Sequence, residues 1–253
     1  MISQIRFIGI IPARYTSTRF PGKPLADIGG KIMIRRVYEQ ALKALDTVYV
    51  ATDDERIFNA VKGFGGEVVM TSAAHKSGTD RCREAVQIIE EQTGIEYGIV
   101  INVQGDEPFI KPEQLELIKT CFYRDTVQIA TLVKPVTNTG DLLDPNRPKV
   151  VVNYQGEAMY FSRSPIPFIR GMDPSKWLRE HDYYMHIGLY GYRKKVLYEI
   201  TKMEQSALEI AESLEQLRWL ENGYRIFTVL TEYDSFGIDT PEDVDEAVRK
   251  FLE

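Results

Sequence analysis

The sequence predicts an α/β protein, a three-layer sandwich in which a mostly parallel central sheet carries helices on both faces. The first observation is a series of short apolar segments rich in β-branched residues, at 5–11, 47–52, 67–70, 98–103 and 128–134. The second is a set of amphipathic helical patterns between them, at 33–44, 54–63, 80–92 and 112–123. Buried strands that alternate with amphipathic helices are typical of a parallel sheet covered on both sides.

The middle of the chain predicts a change of architecture. Residues 150–193 contain extended segments on either side of a polar, proline-containing and aromatic stretch at 163–184. We interpret the region around 155–195 as a β-rich insertion on the same sheet.

The chain then returns to helical patterns and one strand, at 193–203, 208–222 and 225–230. A last helix is predicted to begin in "DTPED", where Thr240 is a suitable N-cap, Pro241 takes the first helical position and Asp243 lies three residues after the cap. Neither an internal repeat nor a low-complexity linker divides the sequence, so we expect a single domain over 1–253 that includes the insertion.

Composition excludes several classes of function. The 253 residues carry 31 basic and 37 acidic side chains, a net charge of −6, which argues against binding to nucleic acid or to an anionic membrane. No apolar run approaches the roughly 20 residues of a membrane span, and the first residues do not resemble a signal peptide. Cys82 and Cys121 have no metal-binding or redox spacing. We therefore expect a cytoplasmic protein with reduced thiols and no membrane insertion.

Three cations lie within ten residues directly after the first predicted strand, in "IIPARYTSTRFPGKPL". Parallel α/β sheets bind ligands beyond the carboxyl ends of their strands, so Arg14, Arg19 and Lys23 are expected at the ligand edge. Both side-chain types suit phosphate. No Walker or dinucleotide glycine motif is present, so any phosphate binding here would depend mainly on side chains. The alternative is a solvated basic loop.

Two aspartates are candidate metal ligands. Asp106 follows another predicted strand in "INVQGDEPFI", and Asp239 directly precedes the last helix. Mg²⁺ prefers one or two carboxylates together with water and phosphate oxygens. The alternatives are a β-turn for Asp106 and helix-terminus electrostatics for Asp239.

Polar groups elsewhere form two further candidates. "HKSGTDR" is a polar loop that opens a helix with Thr79 or Asp80 as its cap, and free N–H groups at a helix start bind anions or acceptors. The second half supplies polar side chains within apolar segments, which are either ligand contacts or satisfied core groups: Arg163, His186, Tyr190, Glu215 and Gln216. No zinc-type spacing occurs among the histidines.

In this order, the motifs resemble the sugar-activating cytidylyltransferases, and within them the branch that activates 3-deoxy-manno-octulosonate (KDO). The resemblance spans nearly the whole chain and is carried by "IPARYTSTRFPGKPL", "VATDDERI", "SGTDR", "INVQGDEP", "YFSRSPIP", "HIGLYGYR", "LEQLR" and "GIDTPED". It implies the Rossmann-like fold of the nucleotide-diphospho-sugar transferases. It also implies the transfer of CMP from CTP to the anomeric hydroxyl of KDO for lipopolysaccharide biosynthesis, with Mg²⁺ as cofactor and a homodimer formed through 155–195.

The resemblance also implies residue roles. The catalytic set is Arg14, Arg19, Lys23, Asp106 and Asp239, and the last two are the Mg²⁺ ligands. The nucleotide-binding set is Pro12, Ala13, Arg14, Arg19, Lys23, Ser77, Gly78, Arg81 and Asp106. The sugar-binding set is Gln104, Arg163, His186, Tyr190, Glu215 and Gln216.

The sequence departs from the family pattern at two places. Asp80 stands where the family more often has Glu, and "SALEIAE" replaces a segment that usually carries proline and histidine. The alternatives to KDO activation are a related sugar acid (8-amino-KDO or sialic acid) and a non-catalytic nucleotide-binding protein.

Overall fold

The computed structural model describes residues 5–17 and 19–253. The strands are β1 Phe7–Ala13, β2 Val48–Thr52, β3 Val68–Met70, β4 Ile99–Asn102, β5 Ile129–Pro135, β6 Lys149–Val152, β7 Ala158–Ser162, β8 Tyr184–Arg193 and β9 Ile226–Leu230. The helices are α1 Met33–Ala41, α2 Glu55–Gly63, α3 Gly78–Thr93, α4 Pro112–Cys121, α5 Thr139–Leu143, α6 Trp177–Glu180, α7 Lys194–Ile200, α8 Ala207–Glu212, α9 Gln216–Glu221 and α10 Pro241–Phe251. Two 3₁₀ turns span Lys23–Leu25 and Pro174–Lys176.

One sheet contains all of these strands, and its main path has the order β3-β2-β1-β4-β8-β5-β9. Strands β1 to β4 pair in parallel, β5 pairs in parallel with β9, and β8 is antiparallel to both β4 and β5. Every strand on the path except β8 therefore runs in the same direction, which confirms the predicted mostly parallel sheet.

Both faces of the sheet are covered, as the alternation of strands and helices predicts. Along β1, Ile11 belongs to the core under α1, α2 and α4, whereas Ile8 and Ile10 belong to the core under α3, α7 and α9. A strand buried on both faces needs apolar side chains at successive positions, which explains why "IRFIGII" does not alternate with polar residues.

The strands of the predicted insertion have different positions in the sheet. Strands β6 and β7 form a hairpin beside the main path, but β8 lies at the centre of the sheet between β4 and β5. Residues 184–193 therefore lie in the central sheet, and the predicted insertion around 155–195 stays a prediction. Hydrophobic periodicity identifies a strand but contains no information about its neighbours, so the sequence did not predict this position.

The predicted helix at 208–222 is divided into α8 and α9. Ser213 ends α8 in the left-handed conformation, with φ of 51°. The break makes Glu215 the first residue outside α9, at the N-cap position. Within residues 5–17 and 19–253, no helix is both long and apolar enough to cross a lipid bilayer.

Candidate functional site

The loops that carry the predicted phosphate and metal residues leave the sheet side by side. β1 and β4 are parallel neighbours, so their carboxyl ends meet at one edge. A Cβ on Gly105 would lie 2.7 Å from the Pro12 carbonyl oxygen, so the turn after β4 packs directly against the end of β1. Pro12 and Ala13 are the last residues of β1, and Asp106 is thereby held beside the loop that follows them.

The C-terminal segment reaches the same edge. The backbone N–H of Ile238 donates to the Asp106 carbonyl at 2.9 Å, and Ile238 is buried against Ile28, Met33 and Ala247. The predicted cap of α10 is confirmed, since Thr240 and Asp243 form a reciprocal capping box. These contacts fix the backbone on both sides of Asp239.

Asp106 and Asp239 converge on a single cation. Lys23 Nζ lies 2.9 Å from Asp106 Oδ2 and 3.2 Å from Asp239 Oδ1, and its side chain is only 14% exposed. Arg19 Nη2 lies 3.2 Å from Asp239 Oδ2. The structure therefore brings two cations of the basic loop and both predicted metal ligands together, while Arg14 is exposed at the start of the same loop.

The start of α3 lies at the same edge of the sheet. A Cβ on Gly78 would lie 3.2 Å from Pro12 Cγ, so the helix begins against the end of β1. The predicted cap at Thr79 or Asp80 is wrong, because Ser77 is the N-cap and Asp80 completes a capping box with it. Asp80 Oδ2 accepts a hydrogen bond from the Ser77 N–H at 3.3 Å. Aspartate therefore completes the capping box although its side chain is shorter than that of glutamate.

The charged group of Arg81 points into the interior of the protein. Its side chain is 1% exposed, and its guanidinium donates to Asp53 Oδ2 at 2.9 Å and to Thr71 Oγ1 at 2.6 Å. In this structure the guanidinium is therefore engaged inside the protein, and the predicted nucleotide-binding role of Arg81 stays a prediction. An arginine in the first turn of a helix has the same sequence signature whether it points outward or into the sheet.

Residues predicted for the sugar acid come mainly from β8 and from the turn before α9. Gln104 Nε2 donates to the Gly188 carbonyl at 2.9 Å, which joins the turn after β4 to β8. His186 Nε2 lies 3.0 Å from Thr131 Oγ1, and the imidazole contacts the rings of Phe161 and Tyr190. Burial lowers the pKa of His186 to about 3, so the ring is neutral at physiological pH.

Glu215 connects this second group to α3. It accepts a hydrogen bond from Thr79 Oγ1 and another from Arg218 Nη2, both at 2.8 Å. Burial raises the pKa of the Glu215 carboxyl, and these donors act in the opposite direction. Within the described part of the chain, the Tyr190 hydroxyl and the Gln216 amide nitrogen are buried without a protein hydrogen-bond partner. Such atoms are costly unless another molecule satisfies them.

Arg163 joins β7 to the break between α8 and α9. Its guanidinium donates to the carbonyls of Glu212 at 2.7 Å and Pro145 at 2.9 Å, and its backbone N–H donates to the Glu212 carboxylate at 2.9 Å. These contacts hold the Arg163 side chain beside the break between α8 and α9.

A family model described as "Cytidylyltransferase" matches residues 8–226 of this chain. A 3-deoxy-manno-octulosonate cytidylyltransferase of Parabacteroides distasonis is 63% identical over 248 residues, which cover 96% of this chain and 97% of the relative. The enzyme of the same name from Bacteroides thetaiotaomicron is 59% identical over 251 residues, with 98% of both chains covered. The chain belongs to the 3-deoxy-manno-octulosonate cytidylyltransferase family.

A solved structure of CMP:2-keto-3-deoxy-manno-octonic acid synthetase in complex with CTP resembles this cytidylyltransferase along its whole length. The two chains are 41% identical, 98% of each is covered, and the TM-score is 0.87. The predicted fold class and family are confirmed.

The donor set of this cytidylyltransferase fits Mg²⁺. No group of three or more His, Cys, Asp or Glu side chains is arranged around a common centre among the residues that the structure describes. Two carboxylates that already share one cation match the preference of Mg²⁺ for one or two carboxylates, with the remaining positions left to water and phosphate.

Sequence reasoning missed Glu107, which follows Asp106 directly. Glu107 is 6% exposed and accepts a hydrogen bond from the Ser235 hydroxyl at 2.6 Å. Burial raises its pKa to about 7, with a further contribution from Asp106. The sequence offered no signal for this burial, whereas the spacing of Glu215 and Arg218 in "LEQLR" is a recognisable (i, i+3) pair.

Proposed function

We propose that this chain transfers CMP from CTP to the anomeric 2-hydroxyl of KDO and releases pyrophosphate. The observation that carries the proposal is the convergence of Asp106 and Asp239 on Lys23, beside Arg19, at the carboxyl edge of the parallel sheet. The names of the relatives support the same activity.

In this proposal the basic loop binds the triphosphate. Arg14, Arg19 and Lys23 neutralise the phosphate oxygens and stabilise the charge that develops on the departing pyrophosphate. A cation about 4 Å from a phosphate oxygen contributes roughly 4 kcal/mol at an effective dielectric constant near 20. Ser77 and Gly78, at the start of α3, frame the nucleotide on the other side, and the backbone of Pro12 and Ala13 forms the floor.

Asp106 and Asp239 are proposed to hold Mg²⁺. When bound, Mg²⁺ would neutralise phosphate charge and align the sugar hydroxyl with the α-phosphate. The KDO oxygen then attacks the α-phosphorus in line, the bond to the pyrophosphate oxygen breaks, and the hydroxyl proton is released to solvent. The chain needs no covalent nucleophile, because positioning and charge neutralisation lower the barrier.

The sugar acid is proposed to lie against the group formed by Gln104, His186 and Tyr190, with Glu215 and Gln216 at the α9 end. A neutral His186 and the unpartnered Tyr190 hydroxyl offer hydrogen bonds to sugar hydroxyls without a net charge. Arg163 is proposed to supply the cation for the sugar carboxylate. To do so, its guanidinium would give up one of its hydrogen bonds to a backbone carbonyl and donate to the carboxylate instead.

Pyrophosphate release from CTP plus KDO tests this function. We expect turnover by the wild-type chain and at least about a 100-fold loss in Asp106→Asn, since one preorganised electrostatic contact contributes about that much to a transition state. Asp46→Asn, an exposed aspartate before β2, is the control and should retain full activity.

Competition among KDO, 8-amino-KDO and sialic acid at fixed CTP identifies the preferred sugar. CTP binding without turnover of any of these sugars would instead indicate a non-catalytic nucleotide-binding protein. Full activity of Asp106→Asn would reject the metal assignment.

We further propose a cytoplasmic homodimer formed through 155–195. Cys82 and Cys121 are buried free thiols, which suits a reducing compartment. Met159 and Phe168 are large apolar side chains with exposed fractions of 62% and 73%, which suits a surface covered by a second copy. Light scattering should give twice the mass of 29.0 kDa for the wild type and a smaller particle for Met159→Glu.

A further inference from the structure

The turn between β2 and α2 contacts both sides of the proposed nucleotide cleft. It contains the "TDDER" part of the "VATDDERI" motif, residues 52–56, to which the proposed function assigns no role. Asp53 contacts the start of α3, and Arg56 contacts the basic loop. We refer to the stack of Asp54, Arg56, Tyr15 and Gly22 as the clasp.

The outer half of the clasp is an arginine whose guanidinium lies over an aromatic ring. Arg56 Cζ lies 3.2 Å from the centroid of the Tyr15 ring. The guanidinium is oriented by Asp54 through two hydrogen bonds, Nε to Oδ1 at 2.9 Å and Nη2 to Oδ2 at 2.7 Å. Asp54 is itself fixed as the N-cap of α2, where it accepts from the Arg56 N–H at 2.9 Å. A planar, bidentate arginine is the side chain best suited to such a stack.

The inner half of the clasp closes the basic loop. A Cβ on Gly22 would lie 3.0 Å from the Tyr15 ring, and Gly22 has a φ of +75°, a conformation that favours glycine. The Gly22 N–H also donates to the Tyr15 carbonyl at 2.9 Å. The ring is therefore packed between Arg56 and Gly22, and the two ends of the loop are joined. Arg14 precedes this closure and Lys23 follows it.

The other end of the same turn holds the opposite wall. Asp53 Oδ2 accepts from Arg81 Nη2 at 2.9 Å, and Arg81 lies one turn into α3, behind Ser77 and Gly78. A buried ion pair of this kind fixes orientation, because breaking it would leave an unpaired charge inside the protein. One short turn is thus attached to both segments that would surround CTP.

We propose that Arg56 is a positioning residue for CTP: through Tyr15 it orders the loop that carries Arg14 and Lys23 before the nucleotide binds. This rests on the proposed function. The Arg56 side chain is 59% exposed, so it stabilises the overall fold little, while a loop ordered in advance lowers the cost of binding. Arg56 itself need not touch the nucleotide.

The test is CTP binding by titration calorimetry together with steady-state kinetics on the full chain. We expect Arg56→Gln to weaken CTP binding and raise the KM for CTP about 5-fold, with the KM for KDO and the melting temperature unchanged. Arg56→Lys should restore part of the affinity, because an ammonium also binds an aromatic face. Lys62→Gln, an exposed cation on the same helix paired with Glu67, is the matched control and should have no effect.

A double-mutant cycle separates positioning from direct contact. Tyr15→Phe should resemble the wild type, Tyr15→Leu should resemble Arg56→Gln, and the double variant should be no weaker than either single variant. Additive losses, or an Arg56→Gln affinity equal to that of Lys62→Gln, would overturn the proposal. A wild type that binds CTP but lacks turnover rejects the proposed function and leaves the clasp testable by calorimetry, whereas a wild type that binds no CTP rejects both.

Discussion

The proposed phosphate side and the proposed sugar side of the candidate site contain different kinds of side chain. The proposed phosphate side consists of charged side chains on loops, such as Arg19 and Asp239, with exposed fractions of 66% and 46%. The proposed sugar side consists of neutral or hydrogen-bonded groups, such as His186 on β8 and Glu215 in the turn before α9. Under the proposed function, the difference corresponds to two modes of recognition: charge neutralisation for a polyanion, and shape with hydrogen bonding for a sugar.

Loss of charge on the phosphate side should give the largest effect. Asp239→Asn should lower kcat about 100- to 1,000-fold, because the neutral amide cannot balance a cation at the reacting phosphate. Stability to urea should change little, since the Asp239 side chain is almost half exposed. Asp245→Asn on α10 is the control. A loss confined to KM would place Asp239 in ground-state binding and weaken the contrast between the two sides.

Loss of the hydrogen bond between Thr131 and His186, on the proposed sugar side, should change the KM for KDO. The Thr131 hydroxyl lies 2.9 Å from the Leu189 carbonyl and 3.0 Å from His186 Nε2, so we infer that the imidazole N–H donates to it. Thr131→Val leaves that donor unpaired, and the KM for KDO should rise about 10-fold while the KM for CTP stays constant.

Thr228→Val supplies the matched control for this experiment. Thr228 is a buried threonine on β9 that donates to the Gly156 carbonyl at 2.9 Å. It should lose similar stability but no affinity for KDO. Equal KM changes for both substrates in Thr131→Val would show that the two sides are not separate.

The two sides also differ in how far the sequence predicts them. Lys23 and Asp106 follow β1 and β4, which pair in parallel. Ligand-binding residues of a parallel sheet lie beyond the carboxyl ends of its strands, so the same edge is expected for both side chains. Asp239 was located because the capping pattern of α10 fixes its position in the sequence. Local patterns and one topological rule thus indicate where these side chains lie in the fold, whereas the roles of Asp106 and Asp239 as Mg²⁺ ligands are implied by the family resemblance and remain proposals.

The sugar side depends on information that a local pattern does not contain. β8 runs antiparallel between β4 and β5, and only that register places His186 opposite Val133 and beside Thr131. Packing between distant segments likewise decides that the Arg81 side chain of α3 is buried and that the chain breaks at Ser213 in the left-handed conformation. The roles of Gln104, Tyr190 and Gln216 accordingly came from family resemblance and remain proposals.

The partly buried His186 is expected to give the proposed sugar side its own pH dependence. His186 has a folded-state pKa of about 3, below the ordinary value of 6.5, so the unfolded chain binds its proton more readily. Its contribution to stability is complete above about pH 6.5 and is lost as the pH falls toward 3. One such group changes the free energy of unfolding by at most about 1.4 kcal/mol per pH unit.

His186→Gln should therefore flatten the decline in stability between pH 6.5 and pH 4, as measured by urea unfolding at fixed salt. The nearby Glu215 has a raised pKa and contributes in the opposite direction, so the comparison must be made between His186→Gln and the wild type rather than from one curve alone. Parallel pH profiles of the two proteins would show that His186 is hydrated or paired in the folded state.

The smallest expected effect concerns competition between Lys23 and a metal ion for the carboxylates of Asp106 and Asp239. Lys23 Nζ contacts one oxygen of each carboxylate that is proposed to hold the metal, so a metal must displace it from those oxygens. Lys23→Met should raise the affinity of the nucleotide-free protein for Mn²⁺ about 5-fold, measured by electron paramagnetic resonance of the free ion. Lys31→Met, an exposed lysine paired with Glu39, should leave Mn²⁺ binding unchanged. In the wild type, CTP should raise Mn²⁺ affinity partly by drawing Lys23 toward its phosphates, and in Lys23→Met this coupling should shrink by the same factor. Weaker Mn²⁺ binding in Lys23→Met would mean that the ammonium supports the metal site instead of competing with it.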